Sequence, residues 1–153
     1  GNGWVCRLLA QDESCTRVLG VDGSEAMISK ARQIDSNGEY KVTKLPEWMP
    51  SEKFDFIHSM EFLYYLHDPQ SMLKQLHENW LNSGGMLVAG IDHYRENDDS
   101  HDWPDALNVH MTTLSIDEWK AAMIEAGFID VEMHQVAASE SFLGTLVMCG
   151  KKN

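Results

Sequence analysis

Apolar residues recur along the chain at two spacings, one typical of amphipathic helices and one typical of short strands. Segments of the two kinds alternate, and neither an internal repeat nor a Gly/Ser-rich linker divides them. We predict helices over residues 3–11, 24–35, 68–80 and 115–127, and strands over residues 17–22, 40–43, 54–60, 86–91, 128–136 and 142–150. The pattern favours a single α/β domain over residues 1–153.

Capping signals mark where two of these helices begin. An S-x-x-E pattern starts at Ser115, and in such a pattern each side chain satisfies a free backbone N–H of the first helical turn. Ser24 offers an N-cap for another helix. In that helix the spacing predicts that Met27, Ala31 and Ile34 share one face, which should pack on the sheet.

The order of the elements predicts how the strands pair. Helices cross over between the earlier strands, so those strands should run parallel. The last two predicted strands have no helix between them and should pair antiparallel. Residues 54–60 suggest a central strand, and residues 86–91 form a continuous apolar run typical of a strand covered on both faces. We therefore expect a mostly parallel sheet with an antiparallel C-terminal strand pair.

Charge and cysteine content exclude some classes of partner. Among the 153 residues, 12 Lys and Arg stand against 24 Asp and Glu, a formal net charge of −12 with His neutral. Nucleic acids and anionic membranes attract cationic surfaces, so we expect neither as a partner. The three cysteines form no Cys-x-x-Cys pair, which fits a reduced, cytoplasmic protein. We expect no membrane span, since no apolar run approaches the ~20 residues required, and no targeting segment.

Candidate chemistry lies at the ends of the predicted strands, because ligands of open α/β sheets bind beyond the carboxyl ends of the strands. Gly1 and Gly3 precede the first helix, where glycines allow close backbone approach and free N–H groups face a ligand. Asp22 ends its strand, and a carboxylate there can accept two hydrogen bonds from the vicinal hydroxyls of a ribose. Two further strings, Met60–Leu66 and Leu81–Val88, flank later strands.

Taken together, these strings resemble the class I S-adenosylmethionine-dependent methyltransferases. Gly1–Trp4 is similar to the second half of that family's D-x-G-x-G-x-G loop, which wraps the methionine part of the cofactor. Residues 18–32, VLGVDGSEAMISKAR, resemble the following strand, ribose-binding acid and helix. The strings KFDFIHSMEFLYYLHDP, LNSGGMLV and LSIDEWKAAMIEAGFIDVEM resemble the fourth strand with its turn, the turn before strand five, and the last helix with strand six.

The resemblance implies a Rossmann-like methyltransferase fold that moves a methyl group from S-adenosylmethionine to a small-molecule acceptor. It places Asp22 on the ribose, Gly23 and Met27 near the adenine, and the residues after the fourth strand beside the reaction centre. The implied cofactor-binding residues are Gly1, Gly3, Asp22, Gly23, Met27, His58, Met60 and Glu61.

Three features depart from the family pattern. The family's first strand and the beginning of its glycine loop would lie upstream of Gly1, so we expect this domain to be N-terminally incomplete relative to the family's 3-2-1-4-5-7-6 strand order. The acidic residue that bonds the adenine amino group has no recognisable counterpart in residues 41–45. Asn82 and Ser83 replace the usual Lys-Pro, which should not affect catalysis.

Two alternatives stay open. A nicotinamide-dependent oxidoreductase also uses a glycine-rich turn and a strand-end acid, but its third glycine would fall at Cys6. The expected antiparallel strand pair also favours methyl transfer over hydride transfer. A non-catalytic binding module that keeps the fold and has lost the cofactor is the other alternative.

The long segment Asp92–Thr113 is expected to be an irregular lid over the acceptor, because such loops in compact domains are commonly functional. It concentrates histidine and tryptophan, and we predict His93 and His110 as catalytic residues, His93 first because it follows the fifth family strand. Its acids match neither a zinc nor a calcium motif, so no metal is predicted. Tyr64 and Tyr65 could flank the cofactor or belong to the core. The acceptor atom and the oligomeric state remain open.

Overall fold

A computed structural model describes residues 1–153, which form two compact units, Gly1–Met49 and Pro50–Asn153. The first unit holds two helices and two strands: α1 (Trp4–Leu9), β1 (Leu19–Asp22), α2 (Glu25–Ile34) and β2 (Glu39–Val42). Strands β1 and β2 pair in parallel, as predicted from the helix that connects them.

The buried face of α2 differs from the predicted one. Ser24 caps the helix, and its Oγ accepts a hydrogen bond from the Met27 amide at 3.3 Å. Ile28 and Ala31 are buried and form a cluster with Tyr40 of β2, whereas Met27 and Ile34 are 44% and 53% exposed. The prediction that Met27 and Ile34 share the packed face was wrong, because the large ring of Tyr40 selects the neighbouring stripe of the helix.

The second unit holds four strands and three α-helices. They are β3 (Phe54–Met60), α3 (Pro69–Gln75), β4 (Leu81–Ile91), α4 (Trp103–Leu107), α5 (Ile116–Glu125), β5 (Ile129–Val136) and β6 (Thr145–Lys151). One wider, π-type turn, Leu76–Trp80, continues α3, and two 3₁₀ turns cover Leu63–Tyr65 and Asp98–Ser100.

The four strands form one sheet in the order β3-β4-β6-β5. β3 and β4 run parallel, while β6 is antiparallel to both β4 and β5, so the predicted antiparallel C-terminal pair is confirmed. The order corresponds to strands four, five, seven and six of the family order, and the β1-β2 pair corresponds to strands two and three.

β3 lies at an edge of its sheet, not in the centre as residues 54–60 suggested. Its pairing partner is β4, and no strand of the described chain pairs with its other edge. Phe56 and Met60 are consequently exposed although both are large and apolar. β4 is buried over most of its second half, as its apolar run predicted.

Helix starts in the second unit follow the predicted capping chemistry. Asp68 accepts a hydrogen bond from the Ser71 amide at 2.9 Å, with Pro69 in the first turn of α3. At α5 the Ser115 side chain accepts from the Glu118 amide at 3.1 Å, and the Glu118 carboxylate accepts from the Ser115 amide at 2.7 Å. The capping box is therefore confirmed in both of its hydrogen bonds.

Segment Asp92–Thr113 is more ordered than an irregular loop. It contains the 3₁₀ turn Asp98–Ser100 and helix α4, and its first half is anchored by buried Tyr94 and Asn97. The expectation of a wholly irregular lid was wrong, because elements this short leave no periodic pattern in the sequence. No helix of the structure has the length and apolar character needed to cross a bilayer.

Candidate active site

Asp22 ends β1, and its side chain is oriented by the turn into α2. Its Oδ1 accepts a hydrogen bond from the Ser24 amide at 2.7 Å. Burial alone would raise the pKa of Asp22, but hydrogen-bond donors, the Ser24 amide among them, outweigh it and hold the pKa below its usual value. The carboxylate is therefore ionised near neutral pH and 27% exposed, as an acceptor for sugar hydroxyls must be.

Gly3 occupies a left-handed conformation, with φ of 77°, at the start of α1. A Cβ placed there would lie 2.6 Å from the ring of Tyr40, so this position requires glycine for packing as well as for backbone conformation. The need for glycine at Gly3 thus has a structural explanation within the first unit, in addition to the predicted role near a ligand.

Gly23 and Met27, the predicted adenine contacts, lie on the surface of the first unit. A Cβ at Gly23 would meet only the Thr43 carbonyl oxygen, at an ordinary 3.7 Å, so nothing in the chain itself demands glycine there. Exposure leaves both residues available to a ligand. Their role stays a prediction.

His58 and Met60 lie on β3, and both are exposed. Gly90, the β4 residue paired with Met60, is buried directly against the Met60 sulfur. A Cβ at Gly90 would lie 2.4 Å from that sulfur, so a larger residue there would displace the Met60 side chain.

Glu61 follows β3 in a left-handed conformation, with φ of 50°, that turns its side chain out of the strand direction. Its amide donates to the Gly90 carbonyl at 2.9 Å, and its Oε2 accepts from the Tyr64 hydroxyl at 2.8 Å. Burial raises the pKa of Glu61 to about 7; the hydrogen bond from Tyr64 opposes the shift, the Asp92 carboxylate adds to it, and a weaker hydrogen bond from the Asp92 amide opposes it. Tyr64 is itself buried, which raises its pKa and keeps its hydroxyl protonated as a donor.

His93 is fully buried, and both of its ring nitrogens are bonded. Nδ1 lies 3.0 Å from the Ser100 carbonyl oxygen and must donate, since a carbonyl only accepts. Nε2, at 2.7 Å from the Thr113 hydroxyl, is then the acceptor in the neutral ring. Burial lowers the pKa of His93, in agreement with a neutral imidazole. This geometry favours a structural role, and the predicted general-base role of His93 stays a prediction with that geometry against it.

His110 differs from His93 in being exposed. Its ring stacks on His67 with 3.7 Å between the centroids, and its Nε2 lies 2.9 Å from the Thr112 hydroxyl. That hydroxyl already donates its hydrogen to the Leu66 carbonyl at 2.7 Å, so Nε2 of His110 must be the donor. Nδ1 of His110 is left as an acceptor, which suits a base better than the bonded ring of His93 does.

Two features of this site were not predicted from the sequence. The Glu61–Tyr64 hydrogen bond was signalled by an E-x-x-Y spacing in the turn after β3, where residues three apart share one side of a 3₁₀ turn. Asp92 was considered only as part of an acidic loop, although it directly follows β4 and therefore lies at the same sheet edge as Glu61. The structure brings together no group of three or more metal-ligating side chains.

Several solved structures resemble this chain in fold over most of its length. A Haloferax volcanii complex of the Trm112 methyltransferase activator with a presumed methyltransferase matches with a TM-score of 0.85 and 26% identity, over 99% of this chain and 78% of that chain. A Mesorhizobium loti S-adenosylmethionine-dependent methyltransferase matches with a TM-score of 0.79 and 21% identity, over 99% of this chain and 87% of that one. The N-methyltransferase NodS of Bradyrhizobium japonicum, solved with S-adenosylhomocysteine, matches with a TM-score of 0.69 and 19% identity, over 95% of this chain and 71% of that chain.

Sequence relatives point the same way. Trans-aconitate 2-methyltransferase of Escherichia coli is 30% identical over 89 residues, which are 58% of this chain and 35% of the relative. A second Escherichia coli form is 28% identical over 105 residues, or 60% of this chain and 42% of the relative. The chain thus spans well under half the length of the curated relatives it matches.

The fold is that of the class I S-adenosylmethionine-dependent methyltransferases, as predicted. The model of the methyltransferase domain family matches residues 1–133, and the chain belongs to that family. The predicted cofactor, S-adenosylmethionine, is accordingly confirmed.

Proposed function

We propose that this domain transfers the methyl group of S-adenosylmethionine to a small-molecule acceptor. The observation that carries the proposal is the ionised Asp22 carboxylate at the carboxyl end of a parallel strand, in a chain of the methyltransferase domain family. That is the position from which α/β folds bind a ribose. When bound, the cofactor supplies an electrophilic methyl group on a sulfonium sulfur.

Residues of the first unit fit the cofactor chemically. Asp22 would accept hydrogen bonds from the ribose hydroxyls, and Gly1 and Gly3 would allow the backbone to approach the methionine part. Gly23 and Met27 would lie against the adenine, since both are exposed beside Asp22 in sequence. From the family resemblance we also propose that His58, Met60 and Glu61 lie beside the reaction centre.

A small acceptor is supported by two observations. Trans-aconitate, the acceptor named for the curated relatives, is a small molecule. The net charge of −12 disfavours nucleic acid, because binding to phosphates depends on cationic side chains. We propose that the exposed part of the predicted lid, α4 and the residues up to His110, selects the acceptor, since the first half of the segment is anchored by buried His93, Tyr94, Asn97 and Ser100.

The test is a turnover assay on the protein expressed from its full natural gene. Small amines, phenols, thiols and carboxylates, trans-aconitate among them, are incubated with S-adenosylmethionine, and release of S-adenosylhomocysteine is measured. We expect at least one acceptor class to give turnover that Asp22→Asn reduces by about tenfold or more at limiting cofactor. The Asn side chain still accepts from the Ser24 amide, so the turn is retained.

A matched control is Glu125→Gln, an exposed acid on α5 outside the predicted lid, which should leave turnover unchanged. Cofactor binding without turnover on any acceptor class would support the non-catalytic binding module. Turnover equal in wild type and Asp22→Asn at limiting cofactor would contradict the proposed cofactor site.

A further inference from the structure

Two carboxylate oxygens of the second unit are buried without a hydrogen-bond partner: Oε1 of Glu61 and Oδ1 of Asp92. An ionised oxygen in that situation loses its water and gains nothing in return, which is costly. Native structures rarely leave such atoms unpaired, so two of them call for a common explanation.

The two residues are neighbours in the fold. β3 and β4 are adjacent parallel strands, with Met60 paired to Gly90, and Glu61 and Asp92 follow the two strand ends directly. The Glu61 amide is tied to the Gly90 carbonyl at 2.9 Å, which holds Glu61 beside the last residues of β4. The Asp92 carboxylate raises the pKa of Glu61 and the Asp92 amide lowers it through a hydrogen bond, which requires the two residues to be in contact.

We propose that Glu61 and Asp92 share one proton. A proton on Oε1 of Glu61 would be donated to Oδ1 of Asp92, so that one hydrogen bond satisfies both unpaired atoms. Two neighbouring buried carboxylates would otherwise both carry charge, which their mutual repulsion opposes.

The surrounding titratable groups leave the pair as the site that changes charge. Tyr64 donates to the other oxygen of Glu61 and stays protonated, since burial raises its pKa. The centroid of the Tyr64 ring lies 4.5 Å from that of Tyr65 and 5.6 Å from that of His93. Burial lowers the pKa of His93. Burial also raises the pKa of Tyr94, with the Asp92 carboxylate adding to it. Glu61, with a pKa of about 7, therefore gains and loses its proton near neutral pH.

The shared proton is tested without any turnover, by following the side-chain carboxyl carbons of the glutamates with ¹³C NMR between pH 4 and 9. The Glu61 resonance is assigned by its loss in Glu61→Gln. We expect Glu61 to titrate near pH 7 in the wild type and about one pH unit lower in Asp92→Asn, which removes the neighbouring charge. Glu125→Gln, an exposed position on α5, is the matched control and should leave the Glu61 resonance unmoved.

A wild-type Glu61 that titrates at the ordinary glutamate value would overturn the shared proton, and that result needs no variant to fold. A Glu61 that titrates near pH 7 equally in wild type and in folded Asp92→Asn would overturn the pairing with Asp92. Both readings stand whether or not the protein turns over, so they separate this inference from the proposed function.

Discussion

At the residue scale, the second unit contains polar side chains whose environment is unusual for charged or titratable groups. His93 is neutral because burial disfavours its cation and because its two nitrogens already have one acceptor and one donor as partners. Glu61 is protonated more readily than an exposed glutamate because water cannot solvate its anion. Burial thus raises the pKa of Glu61 and lowers that of His93. The contributions of the two residues to stability can therefore be measured separately.

The first prediction concerns the structural role of His93. His93→Ala should lower the free energy of unfolding by about 2–4 kcal/mol, because it opens a cavity and leaves the Ser100 carbonyl and the Thr113 hydroxyl unpaired. Urea denaturation at pH 7.5 measures the change. His110→Ala, at an exposed histidine, is the control and should stay within about 0.5 kcal/mol. An unchanged stability in His93→Ala with a roughly 10²-fold slower reaction would instead support the general-base role.

The second prediction concerns pH and Glu61. The folded-state pKa of about 7 lies above the unfolded value, so between those values the folded state binds more protons and Glu61 contributes less stability as pH rises. Glu61→Gln can still accept a hydrogen bond from Tyr64. Its unfolding free energy should therefore rise relative to that of the wild type as the pH is raised from 5 to 8. Parallel urea titrations at the two pH values, with Glu125→Gln alongside, measure the difference. A stability difference that does not change with pH would contradict the raised pKa.

Residue identities were predictable from sequence only where a strand end or a motif marked them. Asp22 was predicted because it ends an apolar strand, and Glu61 because it follows another. The partnership of Glu61 with Asp92 was not, since it depends on β3 and β4 being adjacent in the sheet, which no local pattern encodes. The burial of His93 was likewise missed, because it results from the fold of its own loop.

At the element scale, side-chain caps define where the helices begin. α5 is only ten residues long, so its intrinsic stability is low and its cap and its buried residues Trp119 and Met123 must hold it. The capping box supplies two hydrogen bonds to amides that the helix itself cannot satisfy.

The third prediction follows from this cap. Ser115→Ala should lower the free energy of unfolding by about 1 kcal/mol, because replacing an N-cap serine by alanine typically costs roughly 0.5–2 kcal/mol. Ser29→Ala, in the exposed interior of α2, should change it by less than about 0.5 kcal/mol. Urea denaturation of both variants gives the comparison, and equal effects would show that the Ser115 cap does not contribute.

The fourth prediction concerns α4. Leu107 is 58% exposed on this short helix, and we expect Leu107→Ala to change the KM for the acceptor severalfold with the cofactor affinity unaltered. Ile124→Ala on α5, where the side chain is 55% exposed, is the matched control and should leave KM unchanged. Steady-state kinetics on an active acceptor measure both. A KM insensitive to Leu107 would place acceptor selection outside α4.

Elements with a long or capped pattern were predicted well. The bounds of β3 agree with the structure, and so does the start of α5, because alternation and capping are local properties of the chain. α4 was not predicted, since five residues make little more than one turn. The bulged beginning of β4, Leu81–Gly85, was predicted as a turn because its glycines are typical of one.

At the scale of the whole molecule, the two sheets reproduce the strand orders of one known family. Short parallel pairing in the first unit and the mixed sheet of the second unit follow from which strands are joined by helices, and this is readable from sequence. Whether a strand lies at the edge of its sheet is not readable from sequence, because a strand as apolar as a central one can still lack a neighbour on one side. The activity remains a proposal, since the chain spans 35–42% of its curated relatives.

Calorimetric titration of S-adenosylhomocysteine into the protein expressed from its full natural gene tests the central claim most directly. Loss of a charge-assisted contact costs about 1.5–3 kcal/mol, so Asp22→Asn should weaken binding by about tenfold to a hundredfold. Glu125→Gln should bind as the wild type does. Equal affinity of Asp22→Asn and wild type, with both proteins folded, would contradict the assignment of Asp22 to the cofactor ribose.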